Sequence, residues 1–482
     1  MGNKSLKKNI LFNSIYRCVV IIIPLITSPY LARVLGAEKL GVYSTANAFA
    51  TYFVLASLLG VNDYGNRSIA QVRDNKSKLS DSFWQIYYIQ FFLTLFLSCF
   101  YFVYVKMNPR FIGIQLILGI YVISSFFEIN WFAHGLEQFK LTSIRSIVIR
   151  ILMVASIFLF VKGENDLWKY TLIITVGNLV SLLVIVPLVF RYTDFRKPDF
   201  SLITQHLMPN ILLFLPIVAT SVYQYLNKLM LSNWADSAEV GFYQNAENII
   251  TLPSFLTTAV VTVMLPYASN LIAKGDEDGN EQMFCSCIKY TSILNISMAF
   301  GIFAIASDFI PWYLGSGFER SAGLIRLMAP IVLINGLSTV IRYQYIVPHS
   351  MDKANLISVF SGAGADILFN FIFIPNYGAA GAAIATVLAY LIVLMVQLFF
   401  IGEKINVIAL FRSFLPCICF GIIMSMFVML IGRIQLPVFL RILLELITGV
   451  TVYSAFTLIW LNKTGDVVVK NLLTSLKSRV KK

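Results

Sequence analysis

Five basic residues lie inside long apolar stretches of this sequence, and four of them are candidates for a binding site: Arg17, Arg150, Lys228 and Arg342. The fifth is Lys289. If these stretches cross a membrane, a charged side chain there is costly and usually faces a wet interior, where it can bind an anion. Arginine suits phosphate because its planar guanidinium meets two oxygens at once, whereas lysine acts as a movable point charge. The four residues therefore predict a wet cavity that could bind an anion. The alternative is that Arg150, Arg342 and Lys228 extend from span ends to the membrane surface.

Polar residues share helix faces with two of these cations. At about 100° per residue, they fall in sectors roughly 100° wide, one in each of two apolar stretches. The residues concerned are Asn13, Thr27 and Ser28 beside Arg17, and Gln224 and Asn227 in the sector that Lys228 borders. Both sectors are predicted to face the cavity.

Acidic residues within apolar stretches are fewer. Glu128 lies in one such stretch, and Asp366 lies in another with Asn370 one helical turn later. Either acid could take up a proton or Na⁺, or pair with an interior arginine, and the sequence leaves both alternatives open. Asp63 and Arg67 are one turn apart and could form a gating latch, although a solvated pair is the simpler interpretation.

The composition indicates the solvent in which these residues must be positioned. Of 482 residues, 58% are hydrophobic and 13% are charged, and the mean hydropathy is +0.77. The apolar residues fall in runs of about 20, enough for a helix to cross a hydrocarbon core of roughly 30 Å. Barrel strands would instead show alternation over about ten residues. The sequence therefore predicts an all-α polytopic membrane protein.

About fourteen transmembrane helices are expected. Their predicted positions are near 10–32, 41–61, 83–105, 111–134, 145–162, 169–190, 208–231, 247–271, 287–307, 323–346, 354–374, 379–401, 411–432 and 438–461. Lys and Arg remain mainly on the cytoplasmic side of a membrane protein. Of the 37 such residues, 22 fall in the tails and even-numbered loops and 10 in the odd-numbered loops. Both termini are therefore predicted to be cytoplasmic, and the net charge of +13 needs no nucleic-acid partner.

A short motif occurs twice in the chain. Residues 39–48 read KLGVYSTANA and residues 239–248 read EVGFYQNAEN, with glycine, tyrosine and alanine in step. The spacing and the topology predict two parallel six-helix repeats, which form two lobes around a central cavity. Transporters with such repeats work by rocking one half against the other. The predicted parts are an N-terminal lobe (1–190), a cytoplasmic linker (191–207), a second lobe (208–401), and two extra helices with a basic cytoplasmic tail (402–482).

Four stretches carry a resemblance that covers nearly the whole chain. They read SPYLARVLGAEKLGVYSTANAF, LLGVNDYGNRSIAQVRDN, INWFAHGLEQFKLTSIRSIVIR and IPNYGAAGAAIATVLAY. They resemble the Wzx-type polysaccharide flippases of the multidrug/oligosaccharidyl-lipid/polysaccharide exporter superfamily. The resemblance implies a bacterial inner-membrane protein that moves an undecaprenyl-pyrophosphate-linked oligosaccharide to the external leaflet. It further implies membrane lipids, a polysaccharide polymerase and H⁺ or Na⁺ as expected partners.

Two other functions are alternatives to a flippase: a drug or cation antiporter, and a membrane enzyme. A drug or cation antiporter of the same superfamily would favour a cavity of acids and aromatic residues over one with three arginines. A membrane enzyme such as a sugar polymerase or glycosyltransferase would need a catalytic loop with clustered carboxylates or histidines. The one acidic run, GDEDGNE at 275–281, lies in a short predicted cytoplasmic loop and is interpreted as solvated surface. Two pairs of cysteines, Cys285 with Cys287 and Cys417 with Cys419, have no histidines at the spacing of a metal site. The sequence therefore predicts a transporter without cofactor or metal site.

Overall fold

The computed structural model describes residues 3–197, 199–402 and 411–466, and all regular secondary structure in them is helical. This confirms the all-α prediction. Longer helices alternate with short ones and with single helical turns. The α-helices are α1 (Asn3–Leu58), α2 (Val61–Val72), α3 (Lys76–Met107), α4 (Ile112–Ser124), α5 (Asn130–Gly135), α6 (Phe139–Phe160), α7 (Leu167–Leu183), α8 (Pro187–Tyr192), α9 (Phe200–Ser221), α10 (Asn227–Trp234), α11 (Ser237–Ala273), α12 (Glu277–Leu314), α13 (Glu319–Met328), α14 (Pro330–Ile341), α15 (Asp352–Tyr377), α16 (Ala379–Ile401), α17 (Leu415–Ile431) and α18 (Val438–Lys463).

Side-chain caps begin several of the long helices. The Asn75 side chain accepts a hydrogen bond from the backbone N–H of Lys78 at the start of α3 (3.1 Å). Asp276 accepts one from Gly279 at the start of α12 (2.9 Å). Such caps satisfy amide groups that have no partner within the helix. Each cap lies on the polar side of an apolar run, so the polar-to-apolar change in the sequence marks where these helices begin.

The number of membrane spans is close to the prediction. Within the described residues, eleven helices are long and apolar enough to cross a membrane, and a twelfth results if the bent pair Ser316–Met328 and Pro330–Ile346 is one span. Two features account for the difference from fourteen. The first two predicted spans lie on α1, which has 56 residues, and the predicted thirteenth span is α17, which has only 17.

The break in α1 occurs at a glycine. At about 1.5 Å per residue, α1 would be roughly 84 Å long if straight, far more than one crossing requires. Gly36 interrupts it with φ 74° and ψ 171°, a backbone conformation outside the helical region. Glycine adopts positive φ without the steric cost that a Cβ imposes. The chain therefore supplies two helical segments from one apolar stretch.

The chain divides into two compact units. The first comprises Met1–Gln244 and Asn370–Ala382, and the second comprises Asn245–Phe369 and Ala383–Lys482. Aromatic packing fills the first unit, where Phe83 stacks on Trp131 (ring centroids 5.4 Å apart). In the second unit, α12 packs against α14, α17 and α18. The predicted lobe boundaries at 190, 208 and 401 stay a prediction.

The two copies of the repeated motif contact each other within the first unit. A Cβ atom on Gly41 would lie 1.7 Å from the carbonyl oxygen of Ser237, and one on Gly241 would lie 2.0 Å from the carbonyl oxygen of Ala37. Gly41 and Gly241 are equivalent positions of the two copies, and so are Ala37 and Ser237. Each glycine therefore contacts the same equivalent position on the other copy, as expected where a twofold relation generates an interface. Both copies of the motif therefore have glycine at the same position, because both glycines are needed where the two backbones cross closely.

Candidate functional site

Two adjoining cavities in the first unit, of about 500 Å³ and about 380 Å³, share four lining residues: Glu128, Asn130, Arg145 and Ser146. We refer to them together as the polar cavity. Carboxylate, amide, hydroxyl and guanidinium groups line it together with aliphatic and aromatic side chains. Its polar residues include Asn62, Asp63, Asn66, Thr142, Ser143, Arg150, Thr175, Asn178 and Ser181 in addition to the shared four. Both volumes fall in the range of small-molecule sites.

A break in the fourth predicted span exposes the acid of this cavity. After the single turn Ser125–Phe127, the backbone leaves the helical region at Glu128 (φ −76°, ψ 85°) and resumes it at Asn130. The Gln90 side chain donates to the carbonyl oxygens of Ser125 (2.6 Å) and Glu128 (3.0 Å). The Trp131 indole also donates to the Glu128 carbonyl (3.1 Å). Non-helical backbone at membrane depth is tolerated where protein groups satisfy it or a cavity hydrates it.

Arg145 is the central cation of the polar cavity. Its guanidinium donates to the Ser181 carbonyl (2.6 Å), the Asn130 Oδ1 (3.1 Å) and the Ser146 hydroxyl (3.0 Å). The residue is only 9% exposed. These bonds join α6 to α5 and α7, so the cation is held in place before any ligand arrives. A fixed guanidinium in a water-poor site binds an anion more strongly than a mobile one in water.

The carboxylate beside Arg145 is also held in place. Glu128 Oε1 accepts hydrogen bonds from the backbone N–H (3.1 Å) and the side-chain amide (2.7 Å) of Asn130. Asn130 therefore links the acid to the guanidinium, donating to one and accepting from the other. The cavity presents both charges together with hydroxyl and amide groups. Such a surface can hydrogen-bond a polyol and can balance a bound anion.

An ion pair joins the end of α2 to the turn that precedes α6. Arg73 pairs with Glu137, which lies in the turn between α5 and α6. The hydrogen bond that Arg73 donates to the Glu137 carboxylate raises the pKa of the Arg73 guanidinium. Because both side chains are about one-third exposed, the pair adds little to stability. It does tie together two elements that line the cavity.

Three of the residues predicted from the sequence lie at the polar cavity. Glu128 lines both parts, Asp63 lines the larger and Arg150 the smaller. Arg67 lies on α2 with Asp63, and both are exposed. The described residues show no ion pair between these two. The cavity therefore brings together Glu128, Asp63 and Arg150, and adds Arg145, which is not among the residues predicted from the sequence.

The predicted sector around Lys228 is buried and bonded. Lys228 is 6% exposed, and its ammonium lies 5.5 Å from the ring centroid of Tyr225. Asn227 donates to the Tyr243 hydroxyl (3.2 Å) and accepts from Asn370 (2.7 Å). These two asparagines hold α10 to α15 and to the repeated motif. Asn227 thus has a structural role, which its position on a helix face alone does not predict.

The residues at the start of the chain are only partly described. Thr27 is buried and donates to the carbonyl of Ile23 on its own helix (3.1 Å), and Ser28 is half-buried. Arg17 and Asn13 belong to α1, but their side chains lie outside the described part. Their predicted role as substrate ligands stays a prediction.

The remaining predicted residues lie beside irregular helical turns or within a helix. Val222–Leu226 and Arg342–Ile346 are π-helical, and such turns frequently occur at functional sites. Gln224 is exposed on the first. Arg342 begins the second, and its Nε atom is buried without a hydrogen-bond partner in the described residues. Asp366 is 0% exposed within α15.

One signal in the sequence could have identified Arg145. Thr142, Arg145, Ser146 and Ile149 are spaced as one helix face, and three of the four are polar. The predicted fifth span begins at residue 145, so it divides this face between the span and the preceding loop, and the pattern does not single out Arg145. In the structure α6 begins at Phe139 and includes the whole face.

Known proteins resemble this chain over most of its length. "Putative O-antigen transporter" of Escherichia coli (strain K12) is 22% identical over 410 residues, which are 83% of this chain and 97% of that protein. "Probable low-salt glycan biosynthesis flippase Agl15" of Haloferax volcanii is 20% identical over 258 residues, 52% of this chain and 53% of that protein. The fold is similar to that of "Lipid II flippase MurJ, inward closed conformation", with a TM-score of 0.78, 17% identity, and coverage of 94% of this chain and 99% of that one.

The family model described as "Polysaccharide biosynthesis protein" matches residues 6–272. This match spans more than half of the chain. It includes both copies of the repeated motif and every residue named above as lining the polar cavity. The chain therefore belongs to the polysaccharide biosynthesis protein family.

Proposed function

We propose that this protein is a flippase that moves a lipid-linked oligosaccharide from the cytoplasmic to the external leaflet by alternating access. Its substrate is an undecaprenyl-pyrophosphate-linked repeat unit for capsule, O-antigen or exopolysaccharide synthesis. The observation that carries the proposal is a polar cavity, built around a fixed guanidinium, inside a bundle of membrane helices. The chain is a transporter and not an enzyme. Its family membership agrees with this function.

The polar cavity takes the sugars in this proposal. Sugar hydroxyls both donate and accept, so they need neighbours of both kinds. The asparagine amides and serine hydroxyls of the cavity provide both, Glu128 accepts, and Arg145 donates. The two cavities total several hundred cubic ångströms, the size of sites that enclose a small organic ligand.

The pyrophosphate is held by other cations in this proposal. Arg17, helped by Arg150 or Arg342, binds it on the cytoplasmic side, and Lys228 attracts it outward later. Arg17 lies about seven residues into its span and Lys228 about twenty into its own. At 1.5 Å per residue, their depths differ by roughly 20 Å. One phosphate group cannot contact both at once, so they act in sequence.

A proton or Na⁺ is proposed to be coupled to this movement. Asp366 is fully buried and Glu128 lines the polar cavity. Binding or release of a cation by either carboxylate would therefore change the charge inside the protein. The repeat unit delivered outside is the material that a polysaccharide polymerase consumes. The protein is proposed to reside in the bacterial cytoplasmic membrane with both termini in the cytoplasm. No cofactor is needed for transport of this kind.

The orientation can be tested by labelling single cysteines. In a background from which the six native cysteines have been removed, cysteines placed at Lys76 and Asp199 are expected to react only with reagents on the cytoplasmic side. Those placed at Asp236 and Ser316 are expected to react from outside. The expectation follows from the distribution of Lys and Arg between the loops. Labelling of position 199 from outside would contradict the proposed topology.

The function can be tested by deleting the gene and analysing lipid-linked sugars. Oligosaccharide on its lipid carrier is expected to accumulate facing the cytoplasm, and surface polysaccharide is expected to disappear. Undiminished surface polysaccharide with altered drug tolerance would instead support a drug exporter. A lack of glycan assembly on the carrier would support a glycosyltransferase.

Variants of Arg17 then test the proposed phosphate contact. Loss of a charge-assisted bond to a desolvated anion costs about 2–3 kcal/mol, or roughly 30- to 150-fold in affinity. Arg17→Ala is therefore expected to fail to restore surface polysaccharide at matched protein level. Arg17→Lys keeps the charge but not the fork, so it should restore it in part. Full restoration by Arg17→Ala would place phosphate binding elsewhere.

A further inference from the structure

The last two helices are fastened to α12 within the second unit. The Ser425 hydroxyl of α17 donates to the Phe300 carbonyl (3.2 Å), and the Tyr453 hydroxyl of α18 donates to the Ile293 carbonyl (2.8 Å). These neutral bonds lie along the middle of the helices. Near the C-terminal end of α12 the contact is different, because three ionisable side chains meet there.

The three side chains are Asp308, Arg441 and Glu445. Asp308 on α12 accepts a hydrogen bond from the Arg441 guanidinium of α18 (2.6 Å). Glu445 follows Arg441 by one helical turn and is 1% exposed. A Cβ atom on Gly432 would lie 3.0 Å from Glu445 Oε1 and 3.1 Å from Asp308 Oδ2. The glycine thus leaves room for an oxygen of each carboxyl group beside the end of α17.

The surroundings of Glu445 offer no second cation. Its Oε2 atom is buried and has no hydrogen-bond partner in the described part of the chain. It borders an apolar cavity of about 670 Å³ whose other lining residues, from α11, α12, α17 and α18, are uncharged. The titratable group among them is Tyr453, whose hydroxyl is already donated. Arg433, beside Gly432, is exposed.

The charges of this cluster do not balance when all three groups are ionised. Two carboxylates and one guanidinium leave one negative charge, and Glu445 would carry it in an apolar place. An isolated buried carboxylate is costly, and two neighbouring carboxylates cannot both ionise easily. One proton removes the excess charge. It also makes the hydrogen bond between the two carboxyl groups possible, since one of them then has an O–H to donate.

We propose that Asp308 and Glu445 form a proton-binding site that fastens α18 to α12. With the proton bound, the pair and Arg441 are neutral together and the helix ends are joined. When the proton leaves, the carboxylates repel each other and this end of the contact weakens. Both residues adjoin loops predicted to be external, so the site would exchange its proton with the outside. It is separate from the polar cavity and from the coupling proposed for Asp366 and Glu128.

The stability of the protein should therefore fall as pH rises. The folded protein keeps this proton to a higher pH than the unfolded chain does, so folding becomes progressively less favourable as pH rises, until the folded site has also lost its proton. Glu445→Gln carries no titrating group and keeps the shape of a protonated acid. Its decrease in melting temperature between about pH 6 and about pH 9 should be no more than half that of the unmutated protein.

Infrared spectroscopy of the purified full chain in lipid vesicles tests the site directly. A carbonyl-stretch band of a protonated carboxyl group is expected, which persists at neutral pH and disappears at alkaline pH. Glu445→Gln and Asp308→Asn should each remove it or shift its titration, whereas Glu319→Gln, which replaces an exposed acid of α13, should leave it unchanged. A band unaffected by both cluster variants would overturn the proposal. So would equal pH dependence of the melting temperature in Glu445→Gln and the unmutated protein.

Discussion

Replacement of Arg145 with alanine is expected to stop export of the lipid-linked sugar while the protein still reaches the membrane. The guanidinium holds Asn130, Ser146 and the Ser181 carbonyl in one geometry. Its removal leaves these acceptors without their donor and leaves the Glu128 carboxylate without its neighbouring cation. Breaking a buried charged network of this kind costs about 3–5 kcal/mol. Both the shape and the charge of the polar cavity would change together.

The measurement compares surface polysaccharide in cells that carry each variant at matched protein level. Arg145→Lys keeps the positive charge but can replace only part of the fork of hydrogen bonds, so partial export is expected. Arg191→Ala removes an exposed arginine near the end of α8 in the same unit and should export normally. Normal export by Arg145→Ala would show that the polar cavity is a structural feature and that the sugars bind elsewhere.

The membrane class and the approximate spans could be predicted because runs of about 20 apolar residues are a one-dimensional signal. The break at Glu128 could not, because it depends on Gln90 from another helix. That amide satisfies carbonyl groups which an unbroken helix would have bonded itself. The same limit applies to α1, where the pattern shows two spans but not the single residue, Gly36, at which the helix is interrupted.

Candidate site residues could be predicted from the sequence where a charged side chain lies in an apolar run, because such a charge is energetically costly in a membrane. Glu128 and Arg150 stand out as charges in apolar runs, and both line the polar cavity. Arg145 does not stand out, because the serine and threonine residues around it give this stretch a composition that is typical of a loop. Asn227 is predicted from the sequence to face the cavity, and that role stays a prediction. Its partners Tyr243 and Asn370 are distant in sequence, so its bonded state could only come from the structure.

Alanine at Gly41 or Gly241 is expected to disrupt the crossing of the two motif copies. The added Cβ would fall 1.7 Å from the Ser237 carbonyl oxygen in the first case and 2.0 Å from the Ala37 carbonyl oxygen in the second. Neither contact can exist, and the obstructing atoms are backbone, so the helices must move apart. Overpacking of this kind costs about 1–3 kcal/mol and sometimes more. Each variant should therefore melt at a lower temperature and export less.

The reciprocal geometry makes the double variant the decisive measurement. Once one alanine has separated the backbones, the second meets less resistance, so the combined destabilisation should be well below the sum of the two single effects. Gly364→Ala provides a matched control, because that helical glycine has no heavy atom within 4 Å of the added Cβ. It should be neutral or slightly stabilising, since alanine favours a helix by about 0.5–1 kcal/mol over glycine. Fully additive losses would mean that the two glycines serve separate contacts and that the repeated motif does not act as one joint.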